Sequence, residues 1–399
     1  MAIDVTALRA HFPSLDSGLA FFDGPGGTQT PRPVADAIAA TLTGPLSNRG
    51  TISPSELNAE QSVADFRAAY ADFLNMPADG IVHGRSATQL TYDFSRTLAK
   101  GWKPGDEIIV SRLDHDTNVR PWVQAAGHAG VTVRWIEIDP QTAEVDLESY
   151  ERALSPRTRV VAVTGASNVL GTKPPLRRIA DLAHEAGALL YVDGVHYAAH
   201  HLVDVPALGA DLFVCSPYKF LGPHTAVLAG APDLLETLRP DKLLPSSDAV
   251  PERFEFGTLP YEILAGARAA VDFLAAVDPG EGKTRRERLA HSWSSLHAHE
   301  LALRTRLEEG LQAFGDAVTL HSKAQDRTPT LLMTLEGRDA REAQIHLAAR
   351  DVLATAGQFY AYEPFTALKL EGPALRAGLA PYNTAEDVDR LLDGLSSFL

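Results

Sequence analysis

Within the stretch from Ala188 to Gly222, ALLYVDGVHYAAHHLVDVPALGADLFVCSPYKFLG, two short apolar runs each lead to a chemically active side chain. LLYV runs into Asp193, and LFVC is followed by a short turn carrying Lys219. Short apolar runs without polar alternation read as strands buried on both faces, and open α/β sheets bind ligands beyond the carboxyl ends of such strands. An acid and an amine gathered there suit pyridoxal 5'-phosphate (PLP). A lysine forms its Schiff base, and a carboxylate keeps the pyridine nitrogen protonated so that the ring draws electrons.

The elements that must position this pair follow from the pattern between residues 80 and 230. Strands are expected at Glu107–Val110, Val131–Ile138, Val160–Thr164, Leu189–Val192 and Leu212–Val214, with Val227–Ala229 a further candidate. Helical patterns lie between them at Asn118–Ala129, Leu147–Leu154, Leu176–Ala186 and Val205–Leu208. Strand and helix in alternation imply an α/β fold with a mostly parallel sheet covered by helices on both faces. After Gly257 the character changes. Tyr261–Ala276 reads as a long helix and Thr284–Phe314 as a charged amphipathic helix on the surface of a second domain. Pro329–Leu335 and Val352–Ala354 read as strands of a smaller sheet, and Ala385–Leu395 as a terminal helix. The expected division is a large domain over 19–275 and a small α+β domain from 1–18 with 276–399.

Composition narrows the partners. The chain has 399 residues, with 36 Lys+Arg against 51 Asp+Glu and a formal charge of −15. Such a balance argues against a nucleic acid or an anionic membrane as partner. A single cysteine, Cys215, excludes an internal disulfide framework and a multi-cysteine metal cluster. His196 and His200 stand at helical spacing, and His291, His297 and His299 cluster, but neither group has the glutamate pattern of a zinc protease, so no metal is expected. The segment MAIDVTALRAHFP shows no apolar h-region, and no apolar run approaches the roughly 18 residues of a membrane span. A reducing, cytoplasmic setting is the expectation. Gly24-Pro25-Gly26-Gly27 lacks both the spacing and the following unit of a dinucleotide site.

Further strings carry residue types that a PLP site requires. His83-Gly84-Arg85-Ser86-Ala87-Thr88-Gln89 opens a helix, where backbone N–H groups and hydroxyls can meet a phosphate or simply cap the helix. Leu113-Asp114-His115-Asp116-Thr117-Asn118-Val119-Arg120-Pro121-Trp122 follows the EIIV strand, and Ala166-Ser167-Asn168-Val169-Leu170-Gly171-Thr172 follows VVAVT. Ser216-Pro217-Tyr218-Lys219, Phe256-Gly257-Thr258 and Leu375-Arg376-Ala377-Gly378-Leu379-Ala380-Pro381-Tyr382-Asn383-Thr384 come later, and Phe22-Asp23-Gly24-Pro25-Gly26-Gly27-Thr28 stands near the start.

Taken in this order, the strings resemble those of the class V aminotransferase and cysteine desulfurase group of fold-type I PLP enzymes. The resemblance implies that Ser86, Ala87 and Thr88 form the phosphate loop, with Ser216 and Tyr218 also on the phosphate. His115 would stack on the pyridine ring and relay protons, Asn168 and His196 would contact the 3-oxygen, and Asp193 would pair with the ring nitrogen. Lys219 would be the Schiff-base residue. Thr258 would reach the neighbouring cofactor across a homodimer interface. Arg376 would bind the carboxylate of an amino-acid substrate, in a pocket shared with Gly26, Gly27 and Tyr360.

The likeness breaks at one loop. Desulfurases carry a persulfide-forming cysteine in the pattern RTGxHC, where this chain has Thr355-Ala356-Gly357-Gln358-Phe359-Tyr360-Ala361. Tyr360 stands at the cysteine position and Thr355 at the arginine, and Cys215 reads as a buried small hydrophobe. The resemblance then implies PLP chemistry at the α-carbon of an amino acid. β-Elimination of the C–S lyase type is the preferred reading, with aminotransferase and isopenicillin-N-epimerase-like racemase readings beside it.

Overall fold

The computed structural model describes residues 3–399. Its main sheet has seven strands, which we number in chain order as β1 (Ile81–Gly84), β2 (Glu107–Ser111), β3 (Thr132–Ile136), β4 (Thr158–Thr164), β5 (Leu189–Asp193), β6 (Leu212–Cys215) and β7 (Ala226–Gly230). Their order across the sheet is β1-β7-β6-β5-β4-β2-β3. β7 pairs antiparallel with β1 and β6, and the remaining pairings are parallel. Alternate residues of the central strands enter different cores. Leu190, Val192, Phe213 and Cys215 face one hydrophobic cluster; Tyr191, Leu212 and Val214 face another. A sheet buried on both sides needs apolar residues at every position, which is why its central strands show no alternation.

Three expectations need correction. Ile81–Gly84 is a strand, where none is expected and His83-Gly84 stand only in the string that opens a helix; pairing with β7 makes it one. Val131–Ile138 is broken: β3 ends at Ile136, and Ile138–Asp139 pairs instead with Glu144–Val145. Val352–Leu353 does not join the smaller four-stranded sheet but pairs in parallel with Ala20–Phe21 near the start of the chain. A second, antiparallel sheet is formed by β8 (Val318–Leu320), β9 (Thr330–Leu335), β10 (Thr355–Gly357) and β11 (Ala374–Gly378), in the order β8-β9-β11-β10.

Helix Arg285–Gln312 is amphipathic as expected, and its buried stripe serves two cores. Leu289, Trp293 and Leu296 enter the core of the main sheet, while Leu303, Leu307 and Leu311 enter that of the small sheet. The stripe repeats every three or four residues, the spacing that keeps one helix face inward. Glu300 lies on this stripe between the two cores, and its Oε2 meets Nδ1 of the buried His200 at 3.0 Å. One rigid helix therefore ties together the two units that bound the cavity described next. Among the described residues, no helix is long and apolar enough to cross a membrane.

Candidate active site

Beyond the carboxyl ends of β4, β5 and β6 lies a cavity of about 700 Å³, within the range of small-molecule sites. Asp193 closes β5, and its Oδ1 accepts the Val195 N–H at 3.0 Å. The intervening Gly194 is obligatory, because a Cβ there would collide with the Phe213 ring. Burial pushes the Asp193 carboxyl up to about 6, against the lowering effects of the Val195 N–H and the Lys219 charge. Lys219 ends the short turn Pro217–Lys219 after β6, and its Nζ donates to the Pro25 carbonyl. Burial, helped by the nearby Arg376 charge, brings its amine down to about 7, while Asp193 pulls the other way. A large share of Lys219 is then uncharged at neutral pH, as a nucleophilic amine or base requires.

His115 begins the turn Asp116–Asn118. Its Nδ1 accepts the Thr117 N–H at 3.0 Å, which leaves Nε2 as the protonated nitrogen. Burial, with Lys219 and Arg376 nearby, lowers it to about 4 and keeps the imidazole neutral. Behind it, Asp114 is fully buried, accepts from Asn118 Nδ2 at 2.7 Å, and is held well above the carboxylate range by burial. Asn118 in turn accepts from Trp122 Nε1 at 3.0 Å, so the string around His115 is a hydrogen-bonded brace.

At another side of the cavity, Ser86 is the N-cap of helix Ala87–Ala99 and its hydroxyl accepts the Gln89 N–H at 3.1 Å. Accepting there leaves the Ser86 O–H free to donate, beside the unpaired backbone N–H groups of the first turn. Thr88 Oγ1 meets Thr117 Oγ1 at 2.9 Å. Ala87, Ser216 and Tyr218 line the same cavity, with the Tyr218 ring stacked 4.7 Å from that of His224.

Several buried polar atoms around the cavity lack partners. His196 uses Nε2 on Thr328 and Thr330, each at 3.0 Å, leaving Nδ1 free, and burial drives its pKa well below the usual value. Asn168 donates from Nδ2 to the Phe359 carbonyl at 3.0 Å and leaves Oδ1 free. Arg376 rises from β11 and is 5% exposed. Its Nη1 donates to the Asn168 carbonyl at 3.0 Å, and Nε is buried without a partner. Burial lowers its guanidinium to about 9, against the attraction of Asp23.

The predicted residues that converge on this cavity are Gly26, Ser86, Ala87, Thr88, His115, Asn168, Asp193, His196, Ser216, Tyr218, Lys219, Tyr360 and Arg376. Gly27 lies behind it instead, where a Cβ would approach the Tyr218 ring to 3.3 Å. Thr258 is exposed and does not line the cavity of its own chain. Tyr92, Thr164 and Phe359 line it without having been singled out. For Phe359 the only signal was its place beside Tyr360. Cys215 is fully buried on β6, opposite Val227, with its thiol pushed up by burial and away from reactivity.

The geometry matches what comparison with known proteins finds. The class V aminotransferase family (Aminotransferase class-V) matches residues 20–391. A probable cysteine desulfurase of Pseudomonas aeruginosa is 31% identical, over 98% of this chain and 97% of its own. An aminotransferase-like protein of Gibberella zeae is 30% identical, over 100% and 99%. The crystal structure of the Escherichia coli cysteine desulfurase CsdA covers 100% of this chain and 98% of its own, at 26% identity and a TM-score of 0.88. The chain therefore belongs to the class V aminotransferase family, PLP-dependent enzymes of fold type I.

Proposed function

We propose that this enzyme acts at the α-carbon of an amino acid by β-elimination, as a C–S lyase. The observation that carries the reading is a cavity with a complete set of proton-handling groups around Lys219 and no thiol within it: Tyr360 stands at the mouth and Cys215 is sealed in the sheet. The residues present fit PLP. Asp193 is a buried acid beside no bound cation other than Lys219, suited to a protonated pyridine nitrogen. The unpartnered Nδ1 of His196 and Oδ1 of Asn168 suit the ring hydroxyl, and the N-terminus of helix Ala87–Ala99 with Thr88, Ser216 and Tyr218 suits a phosphate.

When bound, PLP supplies an electron-withdrawing ring that weakens bonds at the α-carbon of the amine joined to it. Arg376 binds the substrate carboxylate and orients that carbon. Lys219 Nζ takes the α-proton and can return it to a departing sulfur, so elimination needs no second acid. His115, neutral and flat, covers the ring. Phe359 and Tyr360 line the mouth of the cavity.

The same reading places Thr258 at the partner's site in a homodimer. Exposed Phe256 beside it supports this, as do Ile52, Leu243 and Leu244, whose apolar side chains face solvent in the single chain. It also divides the chain at residues 19–275 and 276–399, with 1–18 joining the latter, and sets the reaction in the cytoplasm.

The test is incubation of the purified yellow holoenzyme with L-cysteine S-conjugates, with and without a keto acid. Pyruvate, ammonia and free thiol in equal amounts are expected. Consumption of the keto acid without pyruvate, or inversion at Cα alone, overturns elimination in favour of transfer or epimerisation. A colourless protein that takes up no PLP overturns the whole reading.

A further inference from the structure

Phe359 and Tyr360 stand out as consecutive non-glycine residues in the left-handed region, at φ 56° and 53°. Crowding of Cβ makes each costly, by about 1 kcal/mol, and such strain persists only where surrounding contacts hold it. Here the holding groups are site residues. Asn168 Nδ2 donates to the Phe359 carbonyl, the Asp116 N–H donates to the Tyr360 carbonyl at 2.8 Å, and the Tyr360 ring lies 5.6 Å from that of His115. The side chain of Phe359 turns inward, with its ring centroid 3.9 Å from Arg376 Cζ.

A guanidinium carries all its donors in its plane. A ring over its face blocks no donor and leaves only the edges for hydrogen bonds. One of those, Nη1, is taken by the Asn168 carbonyl; Nε and Nη2 are left over. Asp23 is an acid whose charge attracts Arg376 yet which forms no ion pair with it among the described residues, and its Oδ1 is buried without a partner. The contacts that the buried guanidinium does make are the Phe359 ring and the Asn168 carbonyl.

We propose that Phe359 is a positioning residue that fixes the Arg376 guanidinium edge-on to the cavity, so that tight binding requires a ligand's carboxylate and not its amine alone. This deepens, and rests on, the reading of Arg376 as the carboxylate site. Removing the ring frees Arg376 to turn toward Asp23, and the preference for carboxylate falls while amine affinity stays.

The test compares L-alanine with ethylamine, the same molecule without its carboxylate, binding to the PLP-loaded enzyme by calorimetry and by the shift of its visible band. The wild type is expected to prefer L-alanine. Phe359→Leu, of similar bulk without a ring, and Phe359→Gly, which relaxes the left-handed backbone, should each lose about tenfold of that preference, the size of one buried cation–π contact. Phe359→Trp should stay within about threefold of wild type, and Arg376→Ala should abolish the preference. If the wild type shows no preference, the carboxylate reading of Arg376 fails. If it does and Arg376→Ala removes it, but both Phe359→Leu and Phe359→Gly keep it, the role of Phe359 alone is overturned.

Discussion

The two sides of the cavity are built on opposite terms. The floor is the carboxyl edge of a buried sheet, where Asp193 and Lys219 are held by strands apolar on both faces. The wall is the segment after β10, two aromatic residues in left-handed backbone, of which Tyr360 is 78% exposed. A floor of this kind has one arrangement, because shifting a strand by one residue would move every side chain into the wrong core. The wall is held by a few hydrogen bonds to site groups and can change residue type without disturbing the sheet. The floor thus carries the acid and the amine suited to the cofactor, and the wall carries Phe359 and Tyr360 at the mouth of the cavity. Tyr360, which stands where the desulfurase pattern has its cysteine, belongs to the wall alone.

The largest expected effect breaks the floor. Lys219→Ala should abolish the visible band that borohydride removes and lower turnover at least about a thousandfold, since base and cofactor link go together; full activity in this variant would refute the role. Arg376→Ala, on the wall side, should leave the band and raise KM for an amino acid by about 30- to 100-fold, the value of a lost charge-assisted pair of hydrogen bonds. Loss of the band in that variant would instead make Arg376 part of the floor.

The pH dependence of cofactor capture sharpens the contrast. An amine attacks only when neutral, so the rate of PLP uptake by the apoprotein should rise through pH about 7 and then level. A rate still climbing near the ordinary lysine value of 10.5 would mean that burial does not tune Lys219. Stability of the apoprotein should follow the same sign. Between about 7 and 10.5 the unfolded chain holds the proton and the folded lysine does not, so stability rises with pH there. Asp193 works the other way between 3.8 and about 6, where the folded carboxyl keeps the proton. The smallest effect belongs to the chain's one thiol. Cys215→Ala should cost about 1 kcal/mol in thermal unfolding and leave turnover within about twofold; loss of activity would return a sulfur-carrying role to Cys215.

Much of the floor was legible in the residues themselves. LLYV before Asp193 and LFVC before Lys219 are strands because continuous apolar runs have nowhere to go but a sheet covered on both sides. Helix Tyr261–Ala276 has the bounds that its pattern suggests. Ile81–Gly84 was not legible, since four residues carry too little periodicity and their strand character comes from β7, far along the chain. The stripe of Arg285–Gln312 was legible as amphipathic, but not its division between two cores, since which core each turn meets is set by elements far along the chain.

The sequence by itself determined which chemical groups the site would hold and in what order, because those groups sit in short local motifs at strand and helix ends. Only the tertiary structure decided how they are used. That the Asn168 amide is engaged by the Phe359 carbonyl, that the Arg376 guanidinium packs on the Phe359 ring, and that Lys219 is brought to about 7 all arise from segments distant in the chain meeting in a desolvated space. Local residue order carries no record of that burial, and burial is what tunes charge.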